Sequence, residues 1–221
     1  MEHEGNEQMG IDTHDMEVVH RGLRRESRLL IELVAAVVPG DTARAAVIAD
    51  HFRLYRLGLQ NHHEGEDELL WPPLLARVDL GTDIVLRMEA QHERVAATLT
   101  RLDIEMPTWR AAAGADERDA LVASLTDHRA VLLEHLDDEE ATLLPLAADH
   151  LTEAEWASQG EHLVAHTPKL ALLTLFGIVL EDANPSERAR LLSGLPAPVR
   201  AIWHLIGRPR YARHIRRVRA T

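Results

Sequence analysis

The chain has no cysteine. That excludes disulfides, thiolate metal ligands and a cysteine nucleophile, and it leaves any metal site to nitrogen and oxygen donors. Aromatic residues make up only 4% of 221 residues, while Ala, Leu and Arg abound. Such a composition favours helix over sheet. No stretch sustains a period-two alternation of β-branched residues, so no sheet is expected. Long hydrophobic runs are missing too. The longest, Leu170 to Leu180 with Thr174 inside it, is too short to cross a bilayer. Residues 1–11 are polar and acidic, carry no signal-peptide pattern and are expected to be disordered; the expected location is cytoplasmic. Acidic residues stop at Glu187, and nine arginines follow it. With a net charge of −12, the tail holds +9 and the rest of the chain about −21. Such a tail either meets an anionic partner or lies on the acidic body of its own fold. No nucleic-acid partner is expected.

What the chain does have is histidine, fourteen of them, scattered rather than clustered as a tag. With 46% apolar and 27% charged residues it reads as a globular protein with one good core. Four long helical segments are predicted. The first runs from about Asp12 to Val38 and ends at Pro39-Gly40. The second starts at Asp41, a good N-cap, and is stopped near Trp71 by Pro72-Pro73. The third starts near Thr82 or Asp83 and fades before Pro107. The fourth runs from about Asp116 to Leu144 and is stopped by Pro145. Helices of ~28 residues are ~42 Å long and suit an antiparallel bundle with short connections. Beyond them, Thr152 and Glu155 form a capping box for a fifth helix through about His166. Leu170 to Leu180 is expected to lie buried against the bundle, and Pro185, Pro198 and Pro209 to start short helices. The fold class is therefore all-α: an up-down four-helix bundle over 12–150, then a helical extension over 151–221.

One phrase occurs twice. His62-His63-Glu64-Gly65-Glu66 through Leu70-Trp71-Pro72 aligns with His135-Leu136-Asp137-Asp138-Glu139 through Leu143-Leu144-Pro145, at an offset of 73. Met16 to His20 likewise aligns with Met88 to His92 at an offset of 72. His20 precedes His62 by 42 residues and His92 precedes His135 by 43, so the two halves echo each other. Residues four apart share a helix face. His62 with Glu66, and His135 with Glu139, therefore point into the bundle together, and His20 and His92 join them from the other two helices. Four imidazoles and two potentially bridging carboxylates make a dinuclear site suited to iron, and less to manganese or zinc. His63 and Asp67 have the same four-residue spacing, but position 63 pairs with Leu136 in the other copy, so His63 is expected at the surface or behind a ligand. Met16 and Met88 are expected to fill the core. His162 and His166 are expected at caps or the surface, and His14 near the bundle mouth.

The pattern His…HisxxxGlu…His…HisxxxGlu, with Leu-Leu-Trp-Pro and Leu-Leu-Pro-Leu after the glutamates, resembles the hemerythrin-like (HHE cation-binding) family over about residues 12–150. Phe176-Gly-Ile-Val-Leu-Glu-Asp and the basic tail are further similar to actinobacterial hemerythrin-like proteins. The resemblance implies an oxo- or hydroxo-bridged di-iron centre, with His20, His62, Glu66, His92, His135 and Glu139 at the matching positions. It also shows a departure. Oxygen-carrying members use five histidines, one of them a turn before the third-helix ligand, where this chain has Met88. Their last helix also spaces its carboxylate five residues from the His, where this chain has Glu140, against four for Glu139. Tyr55, two turns before His62, is a candidate extra ligand, redox ring or supporting donor; the alternative is an aromatic filling the core. Its repeat mate is His128. The expected function is catalase- or peroxidase-like handling of hydrogen peroxide. The alternatives are a sensor of oxygen, iron or nitric oxide and, less favoured, a reversible oxygen carrier.

Overall fold

A computed structural model describes residues 10–78 and 82–220. Every regular element among them is helical. α1 (His14–Ala35), α2 (Thr42–Gly65), α4 (Thr82–Ala112) and α5 (Ala115–Asp138) form the bundle, each packed on its chain neighbours, with α1 also against α5. The Asp41 side chain caps α2 by accepting from Arg44 N at 2.9 Å. Gly40, at φ +88°, turns the chain between α1 and α2, and its N–H donates to Ala113 O at 2.9 Å in the opposite turn.

The prolines do not end the helices as predicted. After α2 the chain makes one π-turn, Glu66–Leu70, and continues as α3 (Trp71–Arg77); after α5 it makes another, Glu139–Leu143, and continues as α6 (Leu144–His150). The wider turn shifts the acceptor, so that Trp71 N–H reaches Glu66 O and Leu144 N–H reaches Glu139 O. Pro72, Pro73 and Pro145 then stand in the first turn of a new α segment, where a missing N–H costs little. α4 likewise runs through Pro107 to Ala112, because Met106 and Trp109 bury its last turns in the core.

Two apolar clusters fill the bundle. The larger includes Leu30, Ile48, Phe52, Leu102, Trp109 and Leu132. The smaller includes Met16, Trp71, Met88, Leu143 and Leu144, so both methionines fill core as expected. The repeated histidines fall between the two clusters along every bundle helix.

The extension covers one flank. α7 (Glu153–His166) begins at the expected capping box of Thr152 and Glu155. α8 (Lys169–Asp182) packs on α1 and buries Leu175, Ile178 and Leu180, although Leu170 at its start is exposed. α9 (Pro185–Ser193), α10 (Ala197–Ile202) and α11 (Arg208–Arg219) each carry their proline in the first turn; a π-turn, Trp203–Gly207, joins α10 to α11. The tail is tied to the body by Arg190 with Asp12, by Arg219 with Glu181 at 2.6 Å, and by His214 with the buried His51 at 3.1 Å. No helix is long and apolar enough to cross a membrane among the described residues. Of the segment expected to be disordered, residues 1–9 lie outside the described residues; Ile11 donates to Ala148 O at 2.9 Å and packs on the smaller cluster.

Candidate metal centre

Each bundle helix delivers ligand-capable groups at one level because the histidines sit in register with the apolar stripe of their helix. His20, Glu66, His135 and Glu139 have no exposed surface, and His62 and His92 are nearly as buried. His20 Nε2 and His62 Nε2 are 3.2 Å apart, and so are His92 Nε2 and His135 Nε2. The carboxylates lie between these pairs. Glu66 turns Oε1 to His62 Nε2 at 3.3 Å and Oε2 to His92 Nε2 at 3.4 Å. Glu139 Oε2 lies 3.3 Å from His20 Nε2 and 3.5 Å from His135 Nε2. The six residues singled out in the sequence are thus brought together. The π-turns begin at Glu66 and Glu139 themselves, a placement typical of functional sites.

The sequence reading missed His63. It is buried, not at the surface, and stacks on His92 with ring centroids 4.0 Å apart. One of its ring nitrogens lies within 4.8 Å of ligand atoms of Glu66, His92 and His135, while His20, His62, Glu66 and Glu139 form a second such group. The two positions are therefore unequal, with two imidazoles on one side and three on the other. The repeat argued against His63 because its mate, Leu136, cannot ligate; the two halves share their helix register but not every side chain.

The outer contacts orient the rings. His20 Nδ1 donates to Glu140 at 2.9 Å, His92 Nδ1 to Asp67 at 2.8 Å and His135 Nδ1 to Gln91 at 3.2 Å, which leaves Nε2 of each ring facing inward. Asp67 and Glu140 are themselves repeat mates, directly after Glu66 and Glu139. Trp71 Nε1 donates to Asp67 at 2.8 Å and Arg24 Nη1 to Glu140 at 2.6 Å, so both acids are fixed. Gln159 of α7 reaches in and donates to Glu66 Oε1 at 3.0 Å.

The donor set fits a pair of cations. Glu66 Oε2, both oxygens of Glu139 and His63 Nε2 are buried with no hydrogen-bond partner among the described residues. Orphaned buried carboxylate oxygens are costly without a counter-charge. Burial, then the charge of Glu66, pushes the Glu139 carboxyl up to about 8, and burial raises Glu66 as well. Burial and the neighbouring imidazoles drive His62 and His63 well below the ordinary range and His135 to about 2. At His92 burial lowers the imidazole too, but Asp67 and then Glu66 outweigh it and raise it to about 10. Protons on His92 and Glu139 thus balance the buried charge where cations would displace them.

Tyr55 is buried one layer away. Its hydroxyl pairs at 2.7 Å with His128 Nε2, the very residue it matches in the repeat, and His128 Nδ1 meets Thr98 at 2.7 Å. The phenol is therefore engaged in a core hydrogen bond. His14 stands apart from the cluster, pairing with Glu187 at 2.7 Å. His162 is buried, contrary to expectation, while His166 is exposed and donates to His162 O at 2.9 Å.

Residues 12–147 match the family model of the hemerythrin HHE cation binding domain. The match spans more than half of the chain, and the chain belongs to that family. No curated protein and no solved structure matches the chain.

Proposed function

We propose that this hemerythrin-family chain holds two iron ions between Glu66 and Glu139 and uses them to decompose hydrogen peroxide in a catalase- or peroxidase-like way. The observation that carries this reading is the unequal imidazole count. His20 and His62 would give one ion two imidazoles, and His63, His92 and His135 would give the other three; with Glu66 and Glu139 each within reach of both, the first ion would have four protein donors against five, and a small ligand has room on that side. An all nitrogen and oxygen donor set suits iron. Iron held there would supply the change of oxidation state that the reaction needs. The chain supplies the rest: Glu66 and Glu139 span both positions, Glu140, Asp67 and Gln91 hold the rings by Nδ1, and the apolar layers above and below exclude bulk water. In balance, two hydrogen peroxide molecules give one dioxygen and two waters. An oxygen electrode tests this on the iron-loaded protein. Release faster than from the same amount of free iron, lost in His62→Ala, supports the reading; release no faster than from free iron overturns it.

A second reading, reversible oxygen binding, is favoured by His63. That residue brings the clustered imidazoles to five, the number the family resemblance associates with oxygen carriers, though from the second helix rather than the third. A visible band that forms when oxygen meets the reduced protein and disappears on degassing would select it.

A further inference from the structure

The extension does more than cover the bundle. Between α1 and α2 on one side and α7 and α8 on the other lies a cavity of about 230 Å³. Its walls are apolar and include Met16, Val19, Leu23, Leu163, Leu175 and Ile178. Its inner surface reaches His62, an inward-facing member of the metal cluster, and its mouth is bordered by Gly160 of α7.

The polar side chains around it are already engaged. Asp15 accepts from Trp156 Nε1 at 3.1 Å, Asn61 donates to Thr167 at 2.8 Å and Gln159 donates to Glu66 at 3.0 Å. Deeper in, Glu26 pairs with His51 at 2.6 Å and Tyr55 with His128 at 2.7 Å. An anionic guest would lose its hydration and find no Lys or Arg on the walls, and a cationic one would have, besides the paired Glu26, only Asp15, set against walls that are otherwise apolar. A neutral apolar guest would gain contact with every wall. A cavity of roughly 150 Å³ lined by aliphatic and aromatic side chains is enough for benzene. This one is about half as large again.

We propose that this cavity is a binding site for a neutral, mainly apolar organic molecule of about two fused rings, seated against His62. Hydrogen peroxide needs no such space, so the site goes beyond the proposed reaction. Binding rests on the cavity alone and stands whether or not peroxide is decomposed.

The test uses the full chain, metal-free and loaded with redox-silent zinc, and the neutral naphthalene dye prodan, with naphthalene as competitor. Saturable one-to-one binding with a blue-shifted emission, reversed by naphthalene, is expected in both forms. A Cβ built at Gly160 meets nothing within 4 Å, so a substitution there starts without a clash. Gly160→Trp should weaken dye binding at least tenfold, and Gly160→Ala should leave it within about twofold. Val19→Phe, from the opposite wall, should repeat the loss if the first variant folds poorly. The exposed Leu205 and Ile206 give the dye an alternative surface. If Leu205→Gln with Ile206→Gln abolishes binding, if neither cavity variant alters it, or if no saturable binding occurs, the proposal is overturned.

Discussion

Replacing Asp67 by Asn changes one charge at the metal centre and little else. Asp67 Oδ1 accepts from both His92 Nδ1 and Trp71 Nε1, each at 2.8 Å. An asparagine oxygen can keep both bonds, so the ring stays in place and only the charge assistance is lost. Hydrogen bonds to charged groups contribute about 1.5–3 kcal/mol and neutral ones about 1, so the variant gives up roughly 1–2 kcal/mol of support for His92 as a ligand. At about 1.4 kcal/mol per tenfold, one metal ion should bind some 5- to 30-fold more weakly. That agrees with the 10- to 100-fold typical of residues supporting a ligand. Glu140→Gln makes the matching change on the other side, where the acid holds His20 at 2.9 Å. The two variants should therefore weaken different ions. Competition between the protein and a chromophoric chelator, followed through both binding steps, separates the effects. In the metal-free protein, NMR titration of His92 gives a second check, because losing the Asp67 carboxylate removes a cause of its rise to about 10 and should lower it. Equal weakening of both steps by each variant, or no weakening, would refute the assignment of these acids to separate positions.

Three further outcomes are expected. His63→Leu copies Leu136 of the other half; it should keep the fold, lower the number of nitrogen donors seen by X-ray absorption by one and weaken only the ion beside His92. Unchanged coordination would remove His63 from the site. Tyr55→Phe should leave metal content and the visible spectrum intact, since the hydroxyl pairs with His128; urea unfolding should show a loss of about 1–3 kcal/mol from the imidazole left without its partner. Disappearance of a visible band would make Tyr55 a ligand after all. Burial lowers His128 to about 4 from an ordinary 6.5. A depressed imidazole stabilises the fold above pH 6.5, and that stability is lost as pH falls through 4, so His128→Gln should lose up to about 3 kcal/mol less than the parent on acidification from 6.5 to 4. Parallel curves of stability against pH would contradict this.

Much of this was legible in the sequence because the helix period and the repeat point the same way. The four bundle helices, the Asp41 cap, the Thr152 capping box and the first-turn prolines of α9 to α11 follow from local chemistry, and the structure has them. The six residues in repeated register are also where the structure forms its cluster. The ends expected at Pro72 and Pro145 differ for one reason. A proline halts a helix by lacking a donor and crowding the carbonyl four residues back. A π-turn moves both problems into a first turn, and no residue before Pro72 or Pro145 announces it. Pro107 was misjudged because burial of Trp109, a long-range effect, outweighs a local penalty. The cavity was not legible at all, since it depends on how α7 and α8 approach the bundle.

The departures from symmetry set the two halves of the candidate site apart. A perfectly repeated bundle would give two equal ions and no reason for a ligand to prefer either. The chain breaks the repeat with His63 against Leu136, so that one position gains an imidazole and the other keeps room. It breaks it again with Tyr55 against His128, and there the mates bond to each other across the core. The extension adds a third asymmetry by setting an apolar cavity against His62, on the side with fewer imidazoles, while a more polar cleft lined by Asp67, Glu89 and Glu93 lies beside His63 and His92. The side with more room for a ligand is thus the side with the apolar approach. Opening the polar cleft with Glu93→Ala should therefore leave naphthalene dye binding unchanged, whereas Gly160→Trp at the apolar cavity should weaken it at least tenfold.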